Sequence, residues 1–509
     1  MRHKWLYIVL FVLTVMLLAF PAVQQHAKLF KFKPLFGAVV ATEPPQLTLQ
    51  SFMDGSFQQQ EDQYLSEHIG FREPLVRGYN QFCWSLFRKV QNETIFVNDD
   101  NWIFNDYTVK HYYGQSVYDF VSSDESAIKK MNHDAIMLYQ LQSLLEEYGV
   151  PFFVCLAPGK DVVFGEHVPE VKGFNRPPGI LAIDYYPPLF DSLGINYINF
   201  SQYYLDIKDT VSYPLYLKSS SHWSNEATAY AADTLFRYME NLCGFNMHNL
   251  ILGDRYLDKT HFLDSDLEDI MNLMWPIESG ENYYVRIAID DDSTAIKPKL
   301  FTVGDSYFKG FYYNFSLDRL FESYHFWYYA NSILYDPLHD NVKQADVLRE
   351  LLSSDVVMLM YSPCNLYDLN REFLTNALFN FYYDDKVVAA KLREVQQSDE
   401  GLSETDARYL LYNFPGYYFP EFKEAKVASC RSSRFEKVLA QMRDPQRMRF
   451  RREIMHDPKW LESEKQKAEI WHITIDEAIE RDIDYIQESL SDESLGLDGH
   501  PESVVGVVP

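Results

Sequence analysis

Hydrophobic residues follow three successive rhythms along this chain. From Trp5 to Val23 they form an uncharged run behind Met1-Arg2-His3-Lys4. At about 1.5 Å per residue, a helix of that length nearly spans a hydrocarbon core of about 30 Å. The basic residues in front favour a cytoplasmic N-terminus and place everything after Gln24 outside the cytoplasm. Ala22-Val23-Gln24 is a poor cleavage site, so an uncleaved anchor over residues 1–23 is expected in preference to a signal peptide.

Residues 24–50, with Lys28, Lys31, Lys33, Pro34, Pro44 and Pro45, read as a stalk, and folded structure is expected from near Leu49. The second rhythm then begins. Phe52, Phe57, Tyr64, Phe71, Leu75, Tyr79 and Phe82 recur at mainly helical spacing across Ser51 to Val90, and Trp102-Ile103-Phe104 after Asn98-Asp99-Asp100 reads as a turn into a strand. A helix over about Ser126 to Tyr148 precedes the buried strand Pro151 to Leu156. Leu189 to Leu193 leads into Ile195 to Phe200, and a helix runs from about Asn225 to Leu242. Lys299 to Val303 is a strand, Ala345 to Leu352 a helix, and Val356 to Tyr361 a continuous apolar run of the kind buried on both faces. Such alternation predicts an α/β fold, a mostly parallel sheet between two helical layers, over residues 51–385. Chemistry then belongs at the carboxyl ends of the strands, where Lys160, Ser306 and Asn365 lie.

From about Asp385 the rhythm is helical and highly charged. Asp457-Pro458 is a cap followed by a first-turn proline, and Thr474-Ile475-Asp476-Glu477 is a capping box opening a helix to about Leu490. Ser491 to Pro509 is acidic, then Gly/Val-rich, and reads as disordered. Residues 386–509 show no chemical motif, so packing or interaction is their expected role.

Composition narrows the classes. A formal net charge of −27 from 46 basic and 73 acidic residues argues against binding nucleic acid, or an anionic membrane face, through charge alone. Aromatic residues make up 16% of the chain, enough to supply faces beyond those a core needs; core filling is the more common use of them and stacking on sugar rings the other. The five cysteines are widely spaced, with no Cys-x-x-Cys pair, so no zinc or redox site is expected; Cys155 and Cys364 read as buried small hydrophobes. Asp290-Asp291-Asp292 reads as a solvated loop more readily than a calcium site. No cofactor motif is present.

The candidate chemistry centres on Val303-Gly304-Asp305-Ser306-Tyr307, a sharp turn after an apolar strand. Gly304 lets the backbone turn, Asp305 holds it, and the next residues can point amide donors at a developing oxyanion. Alone, a Gly-Asp-Ser triplet is more often a plain turn. His222, in Lys218-Ser219-Ser220-Ser221-His222-Trp223, supplies a base that titrates near neutrality and changes that balance. The neighbouring serines can hydrogen-bond an imidazole but cannot neutralise an imidazolium.

These motifs occur in an order that resembles the AlgJ/AlgX-like SGNH hydrolase-like group, also called the DHHW family and associated with alginate O-acetylation. The matching features are the N-terminal anchor, Tyr64 to Arg72 with Tyr79-Asn80, Trp102-Ile103-Phe104, Ala157-Pro158-Gly159-Lys160, Lys218 to Trp223, Asp266-Leu267, Gly304-Asp305-Ser306 and Asn365-Leu366. The resemblance implies Ser306 as nucleophile and His222 as base. It also implies a membrane-bound O-acyltransferase as acetyl donor, an exported polysaccharide as acceptor, and a single-pass bacterial inner-membrane protein facing the periplasm. Asn365, Asp305, Lys160 and Trp223 are candidates for oxyanion or substrate contacts, Asn365 reading equally well as a turn-forming asparagine; Tyr312 is a candidate for a tyrosine near the acyl group, with core packing the other reading. The family's Asp-x-His-Trp pattern puts its carboxylate at position 220, where this chain has Ser220. Two functions are therefore open: an acetyltransferase or esterase working through acetyl-Ser306, or a non-catalytic glycan-binding scaffold. An acidic oxygen within about 3.2 Å of the outer ring nitrogen of His222 would favour the enzyme.

Overall fold

The computed structural model describes residues 2–37, 42–115, 125–175, 181–277, 281–382, 385–398, 402–419, 440–441 and 444–494. Its centre is a six-stranded sheet of β1 (Phe152–Leu156), β2 (Tyr197–Asn199), β3 (Lys299–Gly304), β4 (Ser323–Tyr328), β5 (Ser332–Leu334) and β6 (Val356–Tyr361). The order is β2-β1-β6-β3-β4-β5, parallel throughout except for β4 with β5. The central strands read as unbroken apolar runs because both faces are covered. Phe152, Val154, Leu156, Val357, Leu359 and Tyr361 enter one core with the helices Glu125–Glu146 and Ala182–Leu193. Phe153, Cys155, Val356, Met358 and Met360 enter a second with the helix Asn225–Cys243. The expected α/β/α layering is the observed one.

Three features depart from the expected pattern. Ser51 to Val90 is broken into the helices Leu49–Met53, Ser56–His68 and Arg72–Phe87, the last entered through Phe71 at φ 66°. The stalk is not free of the domain: Arg77 donates to the carbonyls of Lys33 and Pro34, and the Phe36 amide donates to Asn272 Oδ1 at 2.7 Å. Between the helix Asn225–Cys243 and β3, the strands Leu250–Lys259 and Glu281–Ile289 form an antiparallel hairpin, and its long connection holds the short helix Asp266–Ile270.

The helices Pro458–Trp471 and Ile475–Ser494 begin at the caps read from the sequence. Asp457 Oδ1 accepts from the amides of Lys459 and Trp460, and Glu477 closes on Thr474. Residues 491–494 are helical, while the rest of the tail expected to be disordered, 495–509, lies outside the described residues. These helices dock on the sheet domain through a buried ionic network. Asp476 meets His339 and Arg451, and Glu480 meets Arg349 and Arg447. No disulfide joins Cys83, Cys155, Cys243 and Cys364 among the described residues; Cys155 is buried as expected, Cys364 only partly so, and Cys430 lies outside them.

Candidate active site

β3 ends at Gly304 in parallel register with Met360 of β6. A Cβ at position 304 would lie 2.2 Å from the Met360 carbonyl oxygen, so only glycine allows the strands to approach here. The Asp305 amide donates to that same carbonyl at 3.0 Å, and the chain turns. The Asp305 side chain is fully buried, and both its oxygens serve the turn. Oδ1 accepts from the Tyr307 amide at 3.1 Å; Oδ2 accepts from the Ser362 amide, the Ser362 hydroxyl and Asn365 Nδ2 at 2.8, 2.6 and 2.8 Å. Asp305 thus fastens the nucleophile turn to the end of β6, and the next helix, Phe308–Asn314, starts two residues beyond Ser306.

His222 arrives from the other face. Tyr216 and Trp223 form an isolated bridge, and Ser224 caps the helix Asn225–Cys243 by accepting from the Ala227 amide. Together these hold the loop between them at the carboxyl edge of the sheet. His222 Nε2 lies 2.8 Å from Ser306 Oγ, and His222 Nδ1 lies 3.1 Å from Asp266 Oδ2. The Ser221 hydroxyl joins the same carboxylate by a short hydrogen bond, and the Ser221 amide donates to Asp266 Oδ1 at 2.9 Å. Burial would raise the Asp266 pKa, but the charge and hydrogen bond of His222, with the two Ser221 donors, hold it below the ordinary carboxylate value. Its contribution to stability is therefore present at neutral pH and is lost as pH falls through the lowered pKa.

The expected missing carboxylate is thus replaced by a residue for which the sequence reading had no role. Ser220 is fully buried and turned away from the ring: its hydroxyl donates to the Leu263 carbonyl at 2.6 Å and accepts from the His222 amide at 2.9 Å. Its place among the ordered motifs is the one signal that could have singled out Asp266; nothing local links it to His222.

Lys160 lines the cavity around Ser306, but its ammonium serves the scaffold in place of a substrate. Its Nζ is buried and donates to the carbonyls of Ile103, Lys218 and Ser220 at 2.7, 3.0 and 2.6 Å, with the rings of Trp102 and Phe104 nearby. It draws the start of the His222 loop onto the end of β1. Burial lowers its pKa to about 7 against the opposing charge of Asp266. Lys160→Met leaves the carbonyls of Ile103 and Ser220 without this donor, while that of Lys218 keeps the Ile103 amide at 3.0 Å. At about 1–3 kcal/mol for an unsatisfied buried group, thermal unfolding of that variant should report a loss of about 2 kcal/mol or more.

Tyr312 is also corrected: it stacks on Tyr335 with centroids 3.7 Å apart and is absent from the cavity around Ser306. Trp223 is buried against Tyr307, Phe311 and Phe200, a core role in place of a substrate contact. Asn365 lines the cavity, but its amide is committed to Asp305 and Ser362, and its Oδ1 accepts from Arg371 at 2.8 Å. It therefore positions the turn, and the expected oxyanion role has no free amide proton to serve it. The acidic run is a loop fastening: Asp292 accepts from Thr294 and Asn246, and Asp290 from Asn249.

The cavity around Ser306 and His222 has a volume of about 360 Å³ and is also lined by Tyr107, Gly159, Tyr329, Cys364 and Arg371. A larger cavity of about 640 Å³, bounded by Trp102, Tyr216 and Trp275, holds none of Ser306, His222 and Asp266.

Fold and site together describe a mostly parallel α/β/α protein with a serine, a histidine and an aspartate in hydrogen-bonding sequence at the carboxyl edge of its sheet. No family model and no curated protein matches the chain. Similar solved structures include the O-acetyltransferase domain of Pseudomonas putida AlgJ, at 12% identity over 54% of this chain and 92% of that one, with a TM-score of 0.35. Pseudomonas aeruginosa AlgX matches at 11% over 57% and 68%, with a TM-score of 0.36. Bacillus cereus PatB1 matches at 12% over 54% and 97%, with a TM-score of 0.31. Overlaps this loose say nothing of chemistry, which rests on this chain's own atoms.

Proposed function

We propose that this protein carries an acetyl group on Ser306 and passes it to a hydroxyl of an exported polysaccharide. The observation that supports this best is the continuous relay Ser306 Oγ, His222 Nε2, His222 Nδ1, Asp266 Oδ2, at 2.8 and 3.1 Å. That geometry favours the enzyme over the non-catalytic scaffold.

In the first half-reaction His222 Nε2 takes the Ser306 proton as Oγ attacks the acetyl carbonyl of the donor. The imidazolium is stabilised by Asp266 and returns the proton to the leaving group as the tetrahedral intermediate collapses to acetyl-Ser306. In the second, His222 deprotonates a sugar hydroxyl, which attacks the acetyl carbon, and the imidazolium gives that proton to Ser306 Oγ as its bond to the acetyl group breaks; water in place of the sugar gives acetate. The backbone amides of Ser306 and Gly159 have no acceptor among the described residues, and both residues line the cavity. They are the proposed oxyanion donors. A cavity of about 360 Å³ is within the usual range for small-molecule sites. The donor in this reading is a membrane-bound O-acyltransferase, and the protein works on the extracytoplasmic side of its membrane helix.

Brief incubation with an activated acetyl ester, acid quench and peptide mass analysis should find one acetyl group on the peptide that contains Ser306. An added oligosaccharide should speed its loss and gain acetyl esters. A protein that neither becomes acetylated nor releases acetate would overturn this reading.

A further inference from the structure

The helix Arg72–Phe87 faces the wrong way for a soluble domain. Leu75, Tyr79, Phe82 and Leu86 are 53–63% exposed, and at 100° per residue they fall within a single arc of about 60°. The opposite side is firmly seated: Trp84 packs in a cluster with Ile95, Ile103, Leu267 and Met271, and Asn80 Nδ2 donates to the Met271 carbonyl at 2.9 Å. The helix is therefore rigidly fixed to the segment that carries Asp266, with an apolar stripe turned outward.

The start of this helix touches the N-terminal helix, Lys4–Ala27, which is long and apolar enough to cross a membrane. A Cβ on Gly70 would lie 2.1 Å from the Pro21 carbonyl oxygen, so the two backbones are in contact. The Phe71 ring lies 4.9 Å from Phe20, 6.0 Å from Phe30 and 5.6 Å from Phe32. An aromatic residue at φ 66° is held in an unfavourable conformation to make that insertion. Phe20 stands three residues, or about 5 Å, inside the end of the apolar run. Interfacial helices bury their apolar face to about 5–10 Å.

Charge agrees locally although not globally. The chain carries 73 acidic against 46 basic residues, yet segments 28–33 and 72–89 together hold Lys28, Lys31, Lys33, Arg72, Arg77, Arg88 and Lys89 against Glu73, with Asp269 paired to Lys33 from outside them at 3.4 Å. The chain-wide argument against an anionic membrane face does not hold for this collar.

We infer that the helix Arg72–Phe87 lies in the outer interface of an anionic phospholipid bilayer, its stripe in the acyl boundary and the basic collar at the headgroups. The bilayer, through this helix, then sets the height of the active site above the membrane. This rests on retention of the N-terminal helix and not on the chemistry of Ser306.

The full chain, reconstituted in nanodiscs containing phosphatidylglycerol, tests it through single spin labels at Leu75→Cys, Phe82→Cys and Leu86→Cys. Asp291→Cys serves as the exposed control, and the parent protein gives the label background. At 75, 82 and 86 collisions with oxygen should exceed those with a water-soluble nickel chelate, with the reverse at 291. The triple change Lys31→Glu, Arg72→Glu, Lys89→Glu should move the stripe labels towards water; no shift overturns the choice of an anionic surface. Three results overturn the inference as a whole. One is a mass showing that the N-terminal helix has been removed. Another is nickel accessibility at the stripe equal to that at 291. The third is protection only when a second copy or a membrane-protein partner is present, seen as dipolar broadening or co-reconstitution dependence.

Discussion

Ser306→Ala is expected to abolish acetylation of the protein and labelling by a serine-directed phosphonate, and to lower acetyl transfer by about ten-thousand-fold or more. The magnitude follows from what the hydroxyl does. It forms the covalent intermediate, so its removal leaves only the binding and oxyanion contributions. Stability should hardly change, because among the described residues Ser306 Oγ makes a single hydrogen bond, to His222, and one such bond is worth about 1 kcal/mol. An unchanged melting temperature with lost labelling separates a chemical role from a structural one. Retained acetate release by the alanine variant would mean that another group is the nucleophile. Glycan binding should survive the substitution and does not bear on the question.

The parts of this molecule that were legible in its sequence are those set by local physics. β1 and β6 were readable because strands covered on both faces form continuous apolar runs, β3 was readable with only Lys299 and Thr302 breaking its run, and Lys160, Asn365 and Ser306 follow their ends in one dimension as they do in three. What was illegible is contact between distant segments. Asp266 is 44 residues from His222, on a short helix inside a hairpin connection, and no spacing rule ties the two. Lys160 illustrates a different limit: a lysine after a strand looks the same whether its charge meets substrate or three backbone carbonyls. Only its burial distinguishes them. Tyr312 was displaced by rotation, since the helix begun at Phe308 carries its ring onto Tyr335 and away from Ser306. The stripe from Leu75 to Leu86 had a readable period, but a period does not say which side faces the core.

Asp266→Asn is the second large effect, and paired with Ser220→Asp it tests how the carboxylate has moved. Asparagine keeps the shape of the side chain but removes the charge that stabilises an imidazolium, and it can present an N–H where His222 Nδ1 needs an acceptor. Loss of the corresponding aspartate in a well-studied serine protease costs about ten-thousand-fold in turnover, and a similar fall in kcat with little change in KM is expected here. The Ser221 hydroxyl cannot replace it: it lies 3.1 Å from Nδ1 but carries no charge, and in the native site it is itself hydrogen-bonded to Asp266. Adding Ser220→Asp restores a carboxylate at the position the resembling family uses, yet rescue is not expected. The Ser220 side chain is sealed between the Leu263 carbonyl and the His222 amide, beside the Ser220 carbonyl that accepts from Lys160. A charge forced into that place meets the Leu263 carbonyl at a position shut off from solvent, so the double variant should be inactive and less stable than Asp266→Asn alone. Recovery of activity in the double variant would show that the loop can swing a carboxylate at position 220 to His222, and that the orienting role is not confined to the hairpin connection.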